Sequence, residues 1–350
     1  MKIDAVILGA SGYGGGELLY WLSRHPEVRS IRGTSRNLDG KPFCTAHPHL
    51  RSIVDGSFES EIDWQDLARS ENPVIFSALP HGELASRLSG LEAAWSRTGI
   101  SERLMLVDLS ADFRVPNPRS FQQLNGFEHP CPELLSQFVY GLPEWNGAAI
   151  KAAKRIASPG CFATALQLAL LPLRGLQIDF LAASAVTGSS GSGASPTSAT
   201  HHPSRANDFR AYKILTHHHT VEVEMAMAAC NIKGQLGFVP HSGPFVRGIF
   251  VTVQFENADG LHPSVLHARV AAAFEDCPFI RIVEGSPRVA AVAGSNFADV
   301  GVAANENTSV IMIAIDNLGK GMAGQAVQAM NVSLGLPETT ALWEPARVPS

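Results

Sequence analysis

The first twenty-five residues constrain the fold most, because they place a strand, a glycine turn and a helix in immediate succession. Ile3 to Leu8 is a short, mostly apolar run of the kind expected for a strand buried on both faces. Gly9-Ala10-Ser11-Gly12-Tyr13-Gly14-Gly15-Gly16-Glu17 follows, then Leu18-Leu19-Tyr20-Trp21-Leu22, an apolar helical face that ends near His25-Pro26. Glycines let a backbone approach phosphate oxygens, and a helix N-terminus supplies N–H groups to meet them. In this context the motif predicts a dinucleotide site at Gly9, Ser11, Gly12, Tyr13, Gly14 and Gly15, a ligand-free tight turn being the alternative. The early Asp4 and the glycines mark this segment as a strand rather than a signal peptide.

The next strand, Val28 to Thr34, should end where the adenosine ribose is read. An NAD-specific site places an acid there. This chain has Thr34-Ser35-Arg36-Asn37, whose hydroxyls and guanidinium suit a 2′-phosphate, so Ser35 and Arg36 point to NADP(H). Arg36 as a solvated loop cation is the alternative. Val74 to Leu79 breaks at Pro80-His81-Gly82, and Leu104 to Leu109 breaks at Ser110-Ala111-Asp112-Phe113-Arg114. Apolar strands ending in polar, Gly- or Pro-bearing loops predict an α/β class, a doubly wound parallel sheet with ligands beyond the strands' carboxyl ends. His81 and Arg114 then lie toward the site, although His81 reads equally as a structural loop histidine.

At 350 residues the chain holds two domains, and its net charge of −5 disfavours nucleic acid or an anionic membrane as main partner. An anionic substrate must therefore be met by local cations. The 5 cysteines are scattered, with no CxxC pairing, which predicts neither a disulfide framework nor a zinc site but a reducing, cytoplasmic setting. No apolar stretch reaches the length of a membrane span.

Four of those cysteines (Cys44, Cys131, Cys230 and Cys277) read as inert small hydrophobes. Cys161 does not. It sits in Ser158-Pro159-Gly160-Cys161-Phe162-Ala163-Thr164-Ala165, just before an apolar run that reads as a buried helix. A thiol at a helix N-terminus meets unpaired N–H groups and the positive end of the dipole, which favours thiolate. Downstream, Gly188 to Thr197 has a linker's composition, but its place after an apolar strand (Phe180 to Val186) favours a functional loop. His201 and His202, then His217, His218 and His219, form clusters. If the second cluster is extended, His217 and His219 share one side and one of them serves Cys161 as acid and base. No metal site is expected, since no cysteine or carboxylate lies at ligand spacing before Glu222. Thr220 reads as the cap of the following helix. Finally, Asp316 to Met330 reads as strand end, glycine turn and small-residue helix, which returns the chain to the first domain. It delivers Asn317 and Lys320 near the cofactor, or leaves Lys320 as a surface cation.

Together these segments resemble the N-acetyl-gamma-glutamyl-phosphate reductase family, NADPH-dependent enzymes of arginine biosynthesis. The matching segments include GASGYGGGE at 9–17, ALPHG at 78–82, VDLSADFR at 107–114, YGLPE at 140–144, SPGCFATA at 158–165, HHHTVEV at 217–223 and DNLGKGMAGQAVQAMN at 316–331. The resemblance implies a Rossmann-type domain at 1–160 plus 318–350. It implies a second α+β catalytic and oligomerisation domain of the glyceraldehyde-3-phosphate dehydrogenase-like type at 161–317. It further implies Cys161 as nucleophile, His217 as acid–base with His219 as competitor, and cofactor contacts from Pro80, Ser189, Gly191 and Asn317. Substrate contacts are implied for Arg114, Ser158, Arg205 and Arg247, in a homodimer or homotetramer. The family usually reads His-Arg-His-Thr-Pro-Glu-Ile where this chain has His218 and Val221. A sister family in lysine biosynthesis, acting on aminoadipyl or glutamyl phosphate linked to a small acidic carrier protein, shares these motifs. Segments such as Ala194-Ser195-Pro196 and His201-His202-Pro203 look similar to that branch. Aspartate-semialdehyde dehydrogenase is a more distant alternative, and a non-catalytic NADP-binding sensor is an alternative of another class.

Overall fold

A computed structural model describes residues 1–257 and 261–348. It resolves into two compact units. The first comprises Met1–Pro159 with Met322–Leu342. Its sheet contains β1 (Ile3–Leu8), β2 (Val28–Thr34), β3 (Phe58–Glu59), β4 (Asn72–Ser77), β5 (Met105–Asp108), β6 (Val139–Tyr140) and β7 (Arg155–Ala157). The spatial order is β3-β2-β1-β4-β5-β7-β6, and every pairing is parallel. β1 is buried along its whole length, as its apolar run requires. The chain order reverses between β1 and β4, the switch point at which open α/β sheets bind ligands.

Two polar devices hold this unit's helices. The Glu83–Thr98 helix starts at Gly82, and the Asp112 carboxylate accepts the N–H groups of Gly82 (2.6 Å) and Ala85 (3.0 Å). This satisfies donors a helix start leaves orphaned. The C-terminal Gly324–Ser333 helix is buried almost throughout. Asn331 Oδ1 meets His25 Nε2 at 2.9 Å, and Gln328 donates to Glu144 at 3.1 Å. The small-residue helix read from the sequence thus packs in the first unit.

The second unit comprises Gly160–Gly321 and the residues from Trp343 onward. Its strands are β8 (Gln177–Thr187), β9 (Arg210–Ala211), β10 (Lys233–Ser242), β11 (Ile249–Glu256), β12 (Ile280–Ile282), β13 (Ala298–Ala304) and β14 (Thr308–Ile315), in the order β12-β13-β14-β11-β8-β10-β9. The sheet is mixed: β8 pairs parallel with β10 and antiparallel with β11. Ile249, Val251 and Val253 alternate inward on β11, join Ile311, Ile313 and Ile315 of β14, and pack with the Cys161–Leu170 helix in one core. The boundaries differ slightly from the sequence reading, which kept residues 318–350 with the first domain. Trp343 lies against Phe279 and Phe297, with ring centroids 5.9 and 5.0 Å apart, and this contact carries the tail into the second unit. Among the described residues, no helix is long and apolar enough to cross a membrane.

Candidate active site

In the second unit Cys161 is the first residue of its helix, with Gly160 as N-cap in extended conformation. The nine residues after it, Phe162 to Leu170, are buried, so the helix start is fixed from behind by the core. Three neighbours fit closely around this start. Gly160 donates its N–H to Glu222 Oε2 at 3.0 Å, and Gln167 ties its amide to the Glu222 carbonyl at 3.1 Å. A side chain on Gly160 would collide with the His219 ring, whose Nε2 is the nearest atom. A side chain on Gly321 would come within 2.9 Å of Cys161 Cβ. The turn before the cysteine is therefore shaped by a buried carboxylate on one side and an imidazole on another.

The three consecutive histidines are not extended. They form a turn in which His219 is the N-cap of the Thr220–Ala229 helix, with φ −63° and ψ −13°. This corrects two sequence expectations. Thr220 is the first helical residue rather than the cap, and face alternation does not apply, because the ring nitrogens of His217, His218 and His219 lie within 4.8 Å of one another. His217 accepts the His219 N–H on Nδ1 at 3.2 Å and packs among Phe162, Tyr212 and Phe238. Burial, helped by the Lys213 cation, pushes its imidazole down to about 4. The His219 ring lies against Gly160 in the Cys161 turn, and the His217 ring is 4.8 Å from it between centroids. Tyr212 lies within electrostatic reach of Cys161, and burial and that thiolate push its phenol well above the usual range.

The cations divide sharply. Arg247 makes two 2.9 Å bonds to Asp316, a fully buried carboxylate that also accepts the N–H groups of Gly294, Leu318 and Gly319. Arg205 is buried and donates to Ser242 Oγ and to the Gly243 carbonyl, the latter at 3.4 Å, while its buried Nε has no partner among the described residues. Lys320 is fully buried in the turn Gly319–Ala323, with its amine 6.0 Å from the Phe279 centroid, so the surface-cation reading fails. Gly188 to Thr197 opens as an ordered 3₁₀ turn. Ser190 bonds the Val246 carbonyl (2.7 Å), and Asn317 reaches Ser190 Oγ (2.9 Å) and accepts the Gly248 N–H (2.7 Å). Ser189, Gly191 and Asn317 are thereby gathered on one polar loop cluster.

In the first unit, Gly9 has φ +80°, and a side chain there would lie 2.8 Å from the Ala78 carbonyl oxygen, so the position needs glycine. Gly9 and Ala10 donate to Thr34 (3.1 and 2.8 Å), which locks the turn to the end of β2. Gly12, the N-cap of the Tyr13–Ser23 helix, faces open space, whereas Gly14 and Gly15 are packed inward and Tyr13 is exposed. Ser35 and Ser11 bring their hydroxyls to 3.1 Å, and Arg36 is exposed and pairs with Glu83 at 2.9 Å. The open Gly12, the adjacent hydroxyls and the absence of an acid at 34–37 fit a dinucleotide. Pro80 lies in the loop after β4, where His81 accepts the Ala111 N–H on Nδ1 at 2.9 Å. Arg114 is buried and donates to the carbonyls of Ser158 (2.8 Å) and Leu109 (2.9 Å). Ser158 gives its N–H to Asp108 O at 2.7 Å and buries its hydroxyl. Asp108, buried beside Asp112, has its carboxyl pushed up to about 7, chiefly by desolvation. Glu222, Asp316 and Tyr212 were not given site roles from sequence. Only the position of Glu222, early in the helix after the histidines, hinted at one.

Two family models match: the semialdehyde dehydrogenase NAD-binding domain over residues 4–153 and the semialdehyde dehydrogenase dimerisation domain over residues 161–317. An N-acetyl-gamma-glutamyl-phosphate reductase of Methanopyrus kandleri is 39% identical, covering 98% of each chain. A [LysW]-L-2-aminoadipate/[LysW]-L-glutamate phosphate reductase of Saccharolobus solfataricus is also 39% identical, covering 97% of each. The fold is that of Vibrio cholerae aspartate semialdehyde dehydrogenase II, with a TM-score of 0.66 over 96% of this chain and 99% of that one at 17% identity. With its glycine turn, its cysteine at a helix start and full-length similarity of this degree, the chain belongs to the N-acetyl-gamma-glutamyl-phosphate reductase family of the semialdehyde dehydrogenases.

Proposed function

We propose that the protein reduces N-acetyl-gamma-glutamyl phosphate to N-acetylglutamate semialdehyde and phosphate, with Cys161 as nucleophile and His219 as acid–base. The observation that carries this reading is the fit of the His219 ring against Gly160, the residue before Cys161. Sequence reasoning put His217 first; its buried, aromatic-packed ring, with its pKa pushed down to about 4, supports a positioning role beside His219 instead. His219 takes the thiol proton, and the Cys161 thiolate forms a bond to the acyl carbon as the carbon–oxygen bond to phosphate breaks. The same proton goes to the departing phosphate oxygen, leaving a thioester on Cys161. A nicotinamide cofactor, when bound, supplies the hydride. Cys161 then departs from the reduced adduct as thiolate, the aldehyde is released, and a proton taken up from water through His219 restores the thiol. The N–H groups of Ser158, Gly160 and Thr164 are engaged elsewhere, so the developing oxyanion falls to the first turn of the Cys161 helix.

Ser11, Ser35 and Arg36 would hold the 2′-phosphate of NADP(H), and Gly9 to Gly15 the pyrophosphate. Among the substrate cations, Arg205 is favoured, because its buried Nε awaits an acceptor whereas Arg247 is turned to Asp316 and Arg114 to backbone carbonyls. The matched dimerisation domain supports a homo-oligomer. Register pairs Val186–Phe250–Ala314, Ser184–Thr252–Met312 and Ala182–Gln254–Val310 across β8, β11 and β14, on the sheet face away from the core. With Phe180, 52% exposed, this face supports a dimer interface with a second copy. The test runs the reaction backwards with NADP⁺, phosphate and N-acetylglutamate semialdehyde, following NADPH absorbance. Turnover lost on Cys161→Ser is expected; wild-type turnover in that variant overturns the mechanism. The equal identity of the carrier-linked relative favours a second reading, in which only the carrier-bound acyl phosphate is reduced. Silence with the free semialdehyde alongside activity on the carrier-linked one would establish it.

A further inference from the structure

His47 lies outside every motif read from the sequence, yet it is one of the most tightly placed side chains in the first unit. It is 5% exposed, and its Nε2 lies 2.8 Å from the Ala10 carbonyl oxygen. A carbonyl only accepts, so Nε2 carries the proton and donates. Burial pushes the His47 imidazole below its usual range and keeps the ring in that neutral form. Its Nδ1 edge faces Gly16, where a side chain would come within 2.6 Å. The Phe58 ring lies 6.4 Å from it between centroids, and the His47 backbone N–H donates to the Phe43 carbonyl at 3.0 Å.

Ala10 is the centre of the glycine turn. Its N–H is held by the Thr34 carbonyl at 2.8 Å, and its backbone is packed so closely by Gly15 that no side chain fits there. A trans peptide is planar, with its C=O and the next N–H pointing in opposite directions. Fixing the Ala10 carbonyl toward His47 therefore fixes the Ser11 N–H toward the opposite side of the turn. Ser11 and Gly12 follow, and the space beside Gly12 is open.

We propose that His47 is a positioning residue for the nicotinamide dinucleotide: without touching it, His47 aims the Ala10–Ser11 peptide so that the Ser11 N–H meets the pyrophosphate. This rests on the cofactor reading above. The test is NADPH binding by fluorescence titration, on the full chain, for wild type, His47→Leu, His47→Gln and Gly16→Ala. Leu fills the volume without a donor, Gln places an amide N–H near the position of Nε2, and Ala at 16 pushes the ring off Ala10. Expected are a roughly 10-fold weaker Kd for His47→Leu and Gly16→Ala, as for one lost directed hydrogen bond, and recovery to within about 3-fold for His47→Gln. The alkylation rate of Cys161 should stay unchanged throughout. Wild-type affinity in a folded His47→Leu overturns the proposal, as does equal loss in His47→Gln. If His47→Leu does not fold, Gly16→Ala decides: wild-type affinity there overturns it. A wild type that binds neither NADPH nor NADH overturns the cofactor reading itself.

Discussion

Gly160→Ala separates the two histidines by steric means alone. The backbone at Gly160 (φ −66°, ψ 148°) suits alanine, so the added methyl brings no dihedral strain. It does meet the His219 ring, with Cδ2 and Cε1 at 2.7 Å and Nε2 closer still. Ordinary carbon contacts need about 3.5–4.0 Å, so the ring must retreat by roughly 1 Å. His219 is 7% exposed and lies beside Phe162 and His218, which leaves it little room to do so without repacking. Overpacking of this kind costs about 1–3 kcal/mol of stability, within the margin of a typical domain. A catalytic group displaced by ~1 Å loses on the order of 100-fold in rate. The expected result is thus a folded Gly160→Ala enzyme with kcat down about 100-fold and an unchanged Kd for NADPH. Steady-state rates of the reverse reaction, with nucleotide titration as control, measure both. A variant with wild-type kcat would refute the placement of His219 beside the nucleophile. A parallel loss of NADPH affinity would show general damage and refute the steric argument.

Replacing the histidines singly should give unequal losses: His219→Gln falls about 100-fold or more in kcat, the range of a lost general base, and His217→Gln falls less. The reverse ranking in stopped-flow assays would restore His217 as acid–base. His217 also predicts a pH-dependent stability. Its pKa is about 4 in the fold and 6.5 as the reference, so the stabilisation is fully present above pH 6.5 and is lost as pH falls from 6.5 toward 4. The full shift corresponds to about 3 kcal/mol. Urea midpoints from pH 7 to 4 should therefore fall less steeply in His217→Gln than in wild type, and parallel curves would sink the idea. Arg205→Lys keeps charge but loses the planar donor set, so KM for the acyl phosphate should rise about 10-fold with kcat nearly intact, as for one lost charge-assisted bond. An unchanged KM would remove Arg205 from the substrate site.

What the sequence made legible was local. The β1 strand, the turn at Gly9 and the helix from Tyr13 are contiguous, and Cys161 needs only its own neighbours to be seen at a helix start. The partners of the charged residues were not legible, because they come from far along the chain. Arg247 finds Asp316 69 residues away, Glu222 finds Gly160 62 residues away, and His47 finds Ala10 37 residues away. Arginine composition cannot show which guanidiniums are already spent on internal carboxylates and carbonyls. The histidine run failed for a different reason: alternation assumes an extended backbone, and a helix start at Thr220 bends these residues into a turn.

The same division bears on substrate choice. Under the proposed mechanism the Cys161 turn would act on the acyl phosphate whatever lies at the other end of the acyl chain, so it would not distinguish an acetylated small molecule from a carrier-bound one. Discrimination requires surface that a carrier can reach and a cation that an acyl tail can reach. Residues 191–204 are exposed, with only Thr200 half-buried, and they lead directly into buried Arg205. On the proposed reading a short tail would end at Arg205 with its carboxylate on the unpaired Nε, whereas a carrier would also spread over the exposed segment before it. Replacing residues 194–203 with a shorter Gly-Ser stretch should therefore leave KM for the free acyl phosphate nearly unchanged. If the carrier-linked substrate is the true one, the same replacement raises its KM. An equal change for both substrates would place discrimination elsewhere in the site.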